Sequence, residues 1–163
     1  MKELPHALKL ATVWLLIGTA LFLAIQAWQA QQRRAQFSAE GGVIEIRRSA
    51  DGHFHWPGQV NGVAVEFLVD TGATRTALPA ALGERAGLQP EGRLQSDTAG
   101  GTVQGQVARA TLALQGGVQV RNMPVALLPD LRTPLLGMDV LGRLQFSQAD
   151  GVLRLRAPDP ATP

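Results

Sequence analysis

The pattern of apolar and polar residues divides the chain into two parts. Residues 10–25 are apolar and carry neither a charge nor an amide, and beyond Gln26 the apolar stretch continues to Trp28. From Val43 onward the apolar residues form short runs separated by Gly, Asn and Asp. Runs of this length with such turn residues between them are typical of β-strands. The sequence therefore predicts an N-terminal helix followed by a mostly β domain.

The N-terminal apolar stretch is long enough to be a membrane anchor. A helix over residues 10–28 would extend about 28 Å, close to the ~30 Å hydrocarbon core of a bilayer. A cleaved signal peptide is the alternative, but its apolar region is usually only about 7–15 residues long. We predict that residues 1–28 form a transmembrane anchor that contacts the lipid bilayer through residues 10–28. The polar residues 29–42 are predicted to be a linker, which a helical extension can partly fill.

Four pairs of turn residues, each containing Gly, mark hairpins in the remainder of the chain. We predict the β domain to cover residues 43–156 and the Pro-rich residues 157–163 to be disordered. Its expected fold class is a mostly β closed barrel or sandwich with one or two short helices. The turn pairs are Asp51-Gly52, Asn61-Gly62, Gly116-Gly117 and Asp150-Gly151. The predicted strands are 43–48, 53–60, 63–69, 93–97, 102–114, 118–128, 144–147 and 152–155, and the predicted helices are 79–86 and 138–142.

Composition and charge narrow the possible functions. The chain has no Cys, so disulfides, thiol nucleophiles and thiolate metal sites are excluded. The formal net charge is only +2, and no Lys/Arg run is interleaved with aromatic residues, which argues against a nucleic-acid partner. His53 and His55 alternate on a strand but have no third candidate ligand nearby in sequence, so we predict no metal site. No Gly-rich loop carries a P-loop lysine, and we predict no cofactor.

The candidate chemistry lies at the end of an apolar strand. Residues 63–69 lead directly into Asp70-Thr71-Gly72, which would hold a carboxylate at a strand end on a Gly-containing turn. An Asp in this context can also simply stabilise a turn. About 65 residues later comes a second motif of two apolar residues and a glycine, Leu135-Leu136-Gly137. The two motifs in this order are stronger evidence for a particular protein family than either motif alone.

These paired motifs resemble the retropepsin family of aspartic proteases, specifically its single-domain, membrane-anchored bacterial members. The resemblance covers residues 43–156 and implies a single-lobe retropepsin-like barrel. It implies that Asp70 is the catalytic carboxylate, supported in its loop by Thr71, Gly72 and Ala73. The motif next to this loop, the psi-loop motif, would be formed by Leu135, Leu136 and Gly137. A weaker match implies a flap over the substrate, formed by Thr98, Ala99, Gly100, Gly101 and Thr102.

Aspartic proteases need two carboxylates that share one proton, and this chain has a single Asp-Thr-Gly. The resemblance therefore implies a homodimer in which Asp70 from each protomer activates a water molecule that hydrolyses a peptide bond. Thr74 and Met138 stand where the retroviral members carry a paired Asp and Arg. We expect Asp139, next in the chain, to cap the helix that starts nearby.

Two other functions are compatible with the same sequence. The chain could be a non-catalytic, membrane-tethered dimeric β-domain that acts as a binding or adaptor module, or a structural protein with a chance Asp-Thr-Gly. The resemblance implies a bacterial inner-membrane protein with one span and a periplasmic protease domain, acting on a peptide or protein substrate near the membrane. Arginines after the apolar stretch, including Arg33 and Arg34, favour the opposite orientation by the positive-inside rule.

Overall fold

The computed structural model describes residues 6–35, 37–98 and 101–156. The chain divides into two compact units, with the division between residues 36 and 37. The first unit contains one helix, α1 (His6–Ala35), whose described side chains from Leu10 to Gln26 are all exposed. Within the described part of the chain, no helix combines the length and the hydropathy that crossing a membrane requires. The transmembrane anchor predicted for residues 10–28 is therefore not confirmed.

The second unit is mostly β, as the sequence predicts. Its described residues form eleven strands and two short helices. The strands are β1 (Phe37–Glu40), β2 (Val43–Arg47), β3 (His55–Val60), β4 (Val63–Val69), β5 (Ala77–Pro79), β6 (Pro90–Thr98), β7 (Gly101–Leu114), β8 (Gln119–Leu128), β9 (Leu135–Leu136), β10 (Gln145–Ala149) and β11 (Val152–Arg156). The helices are α2 (Ala80–Arg85) and α3 (Met138–Leu141).

Six of these strands close into a barrel. Neighbouring strands are hydrogen-bonded in the order β3-β4-β9-β5-β8-β7, and β7 pairs back with β3 to complete the ring, while β6 extends outward from β7. Trp56 and Phe67 are fully buried in its interior, and the indole N–H of Trp56 donates to the Gln115 carbonyl at 2.8 Å. Burial of these large apolar side chains is the main stabilising contribution to the domain.

The side chain of Asn61 connects one hairpin turn of the barrel to two other elements through hydrogen bonds. Asn61 and Gly62 both have positive φ (47° and 85°), as a two-residue turn between β3 and β4 requires. The side-chain Oδ1 of Asn61 accepts from the Thr111 N–H at 2.9 Å, and its Nδ2 donates to the Ala86 carbonyl at 3.2 Å. One amide group thus ties the turn both to β7 and to the end of α2.

A second sheet, in the order β1-β2-β11-β10, brings together the two ends of the unit. All of its pairings are antiparallel, and Ile44, Ile46, Leu153 and Leu155 provide its buried face. The prediction that residues 29–42 form a linker is wrong for β1, which pairs residue by residue with β2. This pairing satisfies backbone groups that a polar sequence pattern alone does not assign to a strand. The tail predicted to be disordered, residues 157–163, lies outside the described residues.

Closure of the barrel depends on the absence of a side chain at Gly58. A Cβ there would lie 2.8 Å from the Ala113 carbonyl oxygen and 2.8 Å from Leu114 Cδ2. We expect Gly58→Ala to destabilise the domain by about 1–3 kcal/mol because β3 and β7 must separate. Urea unfolding measures the change, with Gly92→Ala as the control, since a Cβ at Gly92 meets nothing within 4 Å. Equal stability of the two variants would contradict this account of barrel closure.

The turn before β3 makes a pH-dependent contribution to stability. Asp51 accepts from the His53 N–H at 3.0 Å and lies 2.8 Å from His55 Nε2, and these two contacts lower the pKa of Asp51 below its usual value of 3.8. A lowered pKa stabilises the fold above pH 3.8, and the effect is lost as the pH falls through the lowered value. We expect wild type to exceed Asp51→Asn in urea midpoint at pH 6, and the gap to narrow as the pH falls below 3.8. A gap that widens on acidification would contradict the assignment.

Candidate active site

Asp70 is positioned by the parallel pairing of β4 with β9. Leu68 is opposite Leu135 and Val69 opposite Leu136, and the Asp70 N–H donates to the Leu136 carbonyl at 3.1 Å. The backbone of Asp70 is therefore fixed in the barrel wall, and its carboxylate extends from that fixed position. This confirms that the two motifs, distant in sequence, lie side by side.

The loop that follows holds one oxygen of the carboxylate. The Gly72 N–H donates to Asp70 Oδ1 at 2.9 Å, and the Ala73 N–H donates to the Asp70 carbonyl at 3.3 Å. Asp70 is half-buried, whereas Thr71 and Gly72 are exposed. Within the described part of the chain, Asp70 Oδ2 has no hydrogen-bond partner. One oxygen is thus oriented by the backbone, and the other is available to a water molecule or a proton.

Gly137 lies so close to this loop that no other residue fits. A Cβ at this position would lie 2.6 Å from the carbonyl carbon of Arg75, 2.8 Å from its oxygen and 2.9 Å from the Ala73 oxygen. The next residue, Met138, donates its N–H to the Ala73 carbonyl at 2.8 Å. The conformation of the Asp70 loop is therefore set by backbone contacts on both sides of Gly137.

Asp139 stabilises the same region through Thr76 and does not cap α3, which corrects the sequence prediction. Asp139 Oδ1 accepts from the Thr76 hydroxyl at 2.7 Å, and Oδ2 accepts from the Thr76 N–H at 2.9 Å. The Thr76 hydroxyl in turn accepts from the Gly137 N–H at 3.2 Å. Thr76 is fully buried, and α3 has no side-chain cap. The carboxylate thereby satisfies the hydroxyl and the N–H of Thr76, and the Thr76 hydroxyl oxygen satisfies the Gly137 N–H.

The flap predicted at residues 98–102 corresponds to the end of the β6–β7 hairpin. Thr98 pairs with Gly101, and Asp97 with Thr102, while Ala99 and Gly100 lie outside the described residues. Nearer the base of the hairpin, Leu94 and Val103 pack against a small apolar cluster that also contacts Leu135. The hairpin therefore packs against the same apolar cluster as Leu135 of the strand that supports Asp70.

The remaining candidates take ordinary structural roles. His55 lies against Asp51 in the turn before β3, and the described residues contain no group of three or more His, Cys, Asp or Glu that could hold a metal ion. The role of Thr76 was not predicted, because no local pattern distinguishes this residue. The available signal was its occurrence six residues after Asp70 together with an Asp two residues after Gly137.

This geometry agrees with a family comparison. The family model described as "gag-polyprotein putative aspartyl protease" matches residues 56–143, just over half of the chain, and the match includes both Asp70 and Gly137. The chain belongs to the retropepsin-like aspartic proteases. The family resemblance predicted from the paired motifs is thus confirmed.

Three proteins that are similar to this chain come from bacteria. The crystal structure of a retropepsin-like aspartic protease from Rickettsia conorii matches 74% of this chain and 95% of its own, with a TM-score of 0.57 and 28% identity. An uncharacterised protein of Rickettsia prowazekii is 33% identical over 119 residues, and one from a Sinorhizobium species is 33% identical over 120 residues. The chain spans about half the length (51%) of these two curated relatives.

The contact between Asp139 and Thr76 gives a testable expectation. Asp139→Ala leaves the buried hydroxyl and N–H of Thr76 without an acceptor, so we expect a loss of about 1–3 kcal/mol in unfolding free energy. Chemical denaturation measures the loss, and Asp130→Ala, which removes a carboxylate from an exposed turn, serves as the control. If Asp139→Ala were as stable as this control, the carboxylate would have no bracing role.

Proposed function

We propose that this retropepsin-like protein is an aspartic endopeptidase whose active site contains Asp70 from each of two identical chains. The observation that supports the proposal best is the position of Asp70, which combines a carboxylate oxygen fixed by the Gly72 N–H with a second oxygen that has no partner among the described residues. Such an arrangement suits a group that must exchange a proton while keeping its orientation.

The requirement for a second chain follows from the roles of the other carboxylates. Asp139 lies two residues after the second motif. Both of its carboxylate oxygens already accept hydrogen bonds from Thr76. It is therefore unsuitable as a proton-sharing partner for Asp70. A two-fold axis that brings two copies of Asp70 together supplies the second carboxylate with the same supporting loop.

The proposed chemistry uses water as the nucleophile and no cofactor. Two carboxylates a few Å apart cannot both ionise easily, so the pair holds one proton between them. The ionised carboxylate accepts a proton from water as that water attacks the scissile carbonyl carbon, and the protonated one donates to the carbonyl oxygen. Breakdown of the tetrahedral intermediate returns the proton to the dyad and transfers another to the leaving amine.

The proposed substrate is a peptide or protein segment held in an extended conformation. The β6–β7 hairpin, anchored through Leu94 and Val103 near Leu135, provides a cover that would close over such a segment. Gly72 lets the peptide backbone approach the loop closely, because it carries no side chain.

Replacement of Asp70 tests the proposal directly. We expect Asp70→Asn to lower the rate of cleavage of an unfolded protein by at least ~10³-fold, since a neutral amide cannot take the proton from water. The variant itself should unfold at a urea concentration similar to that of the wild type. Cleavage is measured with the full chain at pH 4–7, and Asp130→Asn is the matched control.

Other outcomes separate the competing functions. A wild type that is folded and dimeric but cleaves nothing would favour a binding or adaptor module with a retropepsin-like fold. Equal cleavage by wild type and Asp70→Asn would assign the activity to a contaminant or to other residues, and the proposal would be wrong.

A further inference from the structure

A pocket separate from the Asp70 loop lies between β4, α2 and the segment that joins β8 to β9. Its volume is about 340 Å³, within the range of roughly 300–1,000 Å³ that is typical of ligand pockets. Its apolar lining includes Pro79, Pro134 and the buried Leu82. Its charged lining residues, all exposed, are Glu66, Arg85 and Arg132. The pocket thus combines an apolar surface with charged groups that are open to solvent.

The two arginines of this pocket come from different elements. Arg85 is the last residue of α2, and Arg132 lies in the loop before β9. In the described part of the chain neither guanidinium group has an ion pair or a hydrogen bond, although Glu66 lines the same pocket. A guanidinium group is a rigid fork of N–H donors that matches the two oxygens of a carboxylate. Two such groups against one carboxylate make the pocket positive and leave donors available for an acidic group.

The pocket lies on the face of β4 that leads to Asp70. The side chains of β4 that pack in the core are Val63, Val65, Phe67 and Val69. Because side chains alternate along a strand, Glu66 and Leu68 face the other way, four and two residues before Asp70. At about 3.3 Å per residue, Glu66 precedes Asp70 by about 13 Å, a distance that about four residues of an extended peptide cover. A peptide held at Asp70 therefore has the length needed to reach the pocket.

The loop before β9 connects the pocket to the same pair of strands. Pro134, a lining residue, accepts from the Leu68 N–H at 2.8 Å, and two residues later the Leu136 carbonyl accepts from the Asp70 N–H at 3.1 Å. The position of the pocket relative to the Asp70 loop is thus fixed by the hydrogen bonds of the barrel wall.

We propose that this pocket is a second substrate-binding site, which holds an acidic side chain and a neighbouring apolar side chain of the protein that is cleaved. The inference rests on the proposed function, which makes the occupant a peptide segment of the substrate. The acidic group binds Arg85 and Arg132, and the apolar one packs against Pro79 and Pro134. Because the pocket is about four extended residues from Asp70, it adds affinity for the substrate and leaves the chemical step unchanged.

Binding of two labelled peptides tests the charge requirement without any cleavage. The probes are a fluorescein-labelled peptide in which leucine alternates with glutamate, and the same peptide with glutamine in place of glutamate. By fluorescence anisotropy, we expect the full chain carrying Asp70→Asn to bind the glutamate peptide about tenfold more tightly, and the ratio to fall at 0.5 M salt.

Arginine variants of this inactive chain locate the preference. Replacing both arginines, by Arg85→Gln and Arg132→Gln, should bring the two peptides to equal affinity. Arg121→Gln removes an exposed arginine of β8 that does not line the pocket, and it should leave the ratio unchanged. A preference for the glutamate peptide that persists in the double variant would overturn the proposal.

Glu66 provides a test with the opposite sign. Glu66→Gln takes a repulsive carboxylate out of the pocket, so we expect the glutamate peptide to bind about threefold more tightly and the glutamine peptide to bind as before. A loss of folding cannot produce tighter binding. Asp150→Asn, which removes a carboxylate from the β10–β11 turn, is the control. Weaker or unchanged binding in Glu66→Gln would contradict the proposed site.

A bulky side chain tests whether the shape of the pocket matters. Ala81 is an exposed lining residue, and Ala81→Trp should weaken binding of the glutamate peptide about tenfold although both arginines remain. Ala50→Trp, at an exposed turn outside the pocket, is the matched control. Equal binding by these two variants would mean that the arginines act only as surface charges, and the pocket would be rejected.

Cleavage connects the pocket to the active site. An unfolded protein with succinylated lysines gains carboxylates, whereas the same protein with acetylated lysines loses the same positive charges and gains none. We expect the wild-type full chain to cleave the succinylated form with a KM about tenfold lower at similar kcat, and the double arginine variant to cleave both forms with similar KM. A difference confined to kcat would overturn the proposal.

Failure of the pocket is distinguishable from failure of the proposed function. Cleavage that depends on Asp70, together with equal binding of the two peptides, would keep the endopeptidase and reject the pocket. Arginine-dependent binding of the glutamate peptide by a chain that cleaves no protein would keep the pocket as a peptide-binding site and reject the endopeptidase.

Discussion

The candidate active site depends on a backbone contact that only a glycine permits. Gly137 lies so close to the carbonyl groups of Ala73 and Arg75 that a Cβ on residue 137 would be less than 3 Å from their atoms. Because of this approach, β9 lies beside β4 in parallel and the Leu136 carbonyl accepts from the Asp70 N–H. The orientation of the carboxylate and the start of α3 both follow from this contact.

The polar contacts around this glycine also explain how the loop is braced in the absence of an ion pair. Retroviral members of the family carry a paired Asp and Arg at the positions of Thr74 and Met138. Here the neighbouring Asp139 binds Thr76 through both carboxylate oxygens, and Thr76 binds the Gly137 N–H. The brace is a network of short hydrogen bonds within one chain. Because Thr76 is fully buried, its hydroxyl and N–H depend on Asp139 for a hydrogen-bond acceptor.

Local signals were sufficient for much of the fold, and long-range contacts account for what was missed. The pair Asn61-Gly62 predicts its turn because both residues tolerate positive φ, and the apolar run before Asp70 predicts β4. Strand β1 was missed because Phe37–Glu40 contains few apolar residues and exists through its pairing with β2. The Asp139–Thr76 contact joins residues 63 positions apart, and an Asp in the first turn of a helix suggests a cap unless the fold is known.

The position of Asn61 links the architecture to the chemical ageing of the protein. An asparagine followed by glycine is the dipeptide most prone to deamidation, and here its amide joins the β3–β4 turn to β7 and α2. Deamidation would replace Nδ2, which donates to the Ala86 carbonyl, with an oxygen that cannot donate when ionised. Two acceptors would then face each other where a hydrogen bond had been, so a slow covalent change at one turn would remove the contact with the end of α2 while the Thr111 N–H keeps its acceptor.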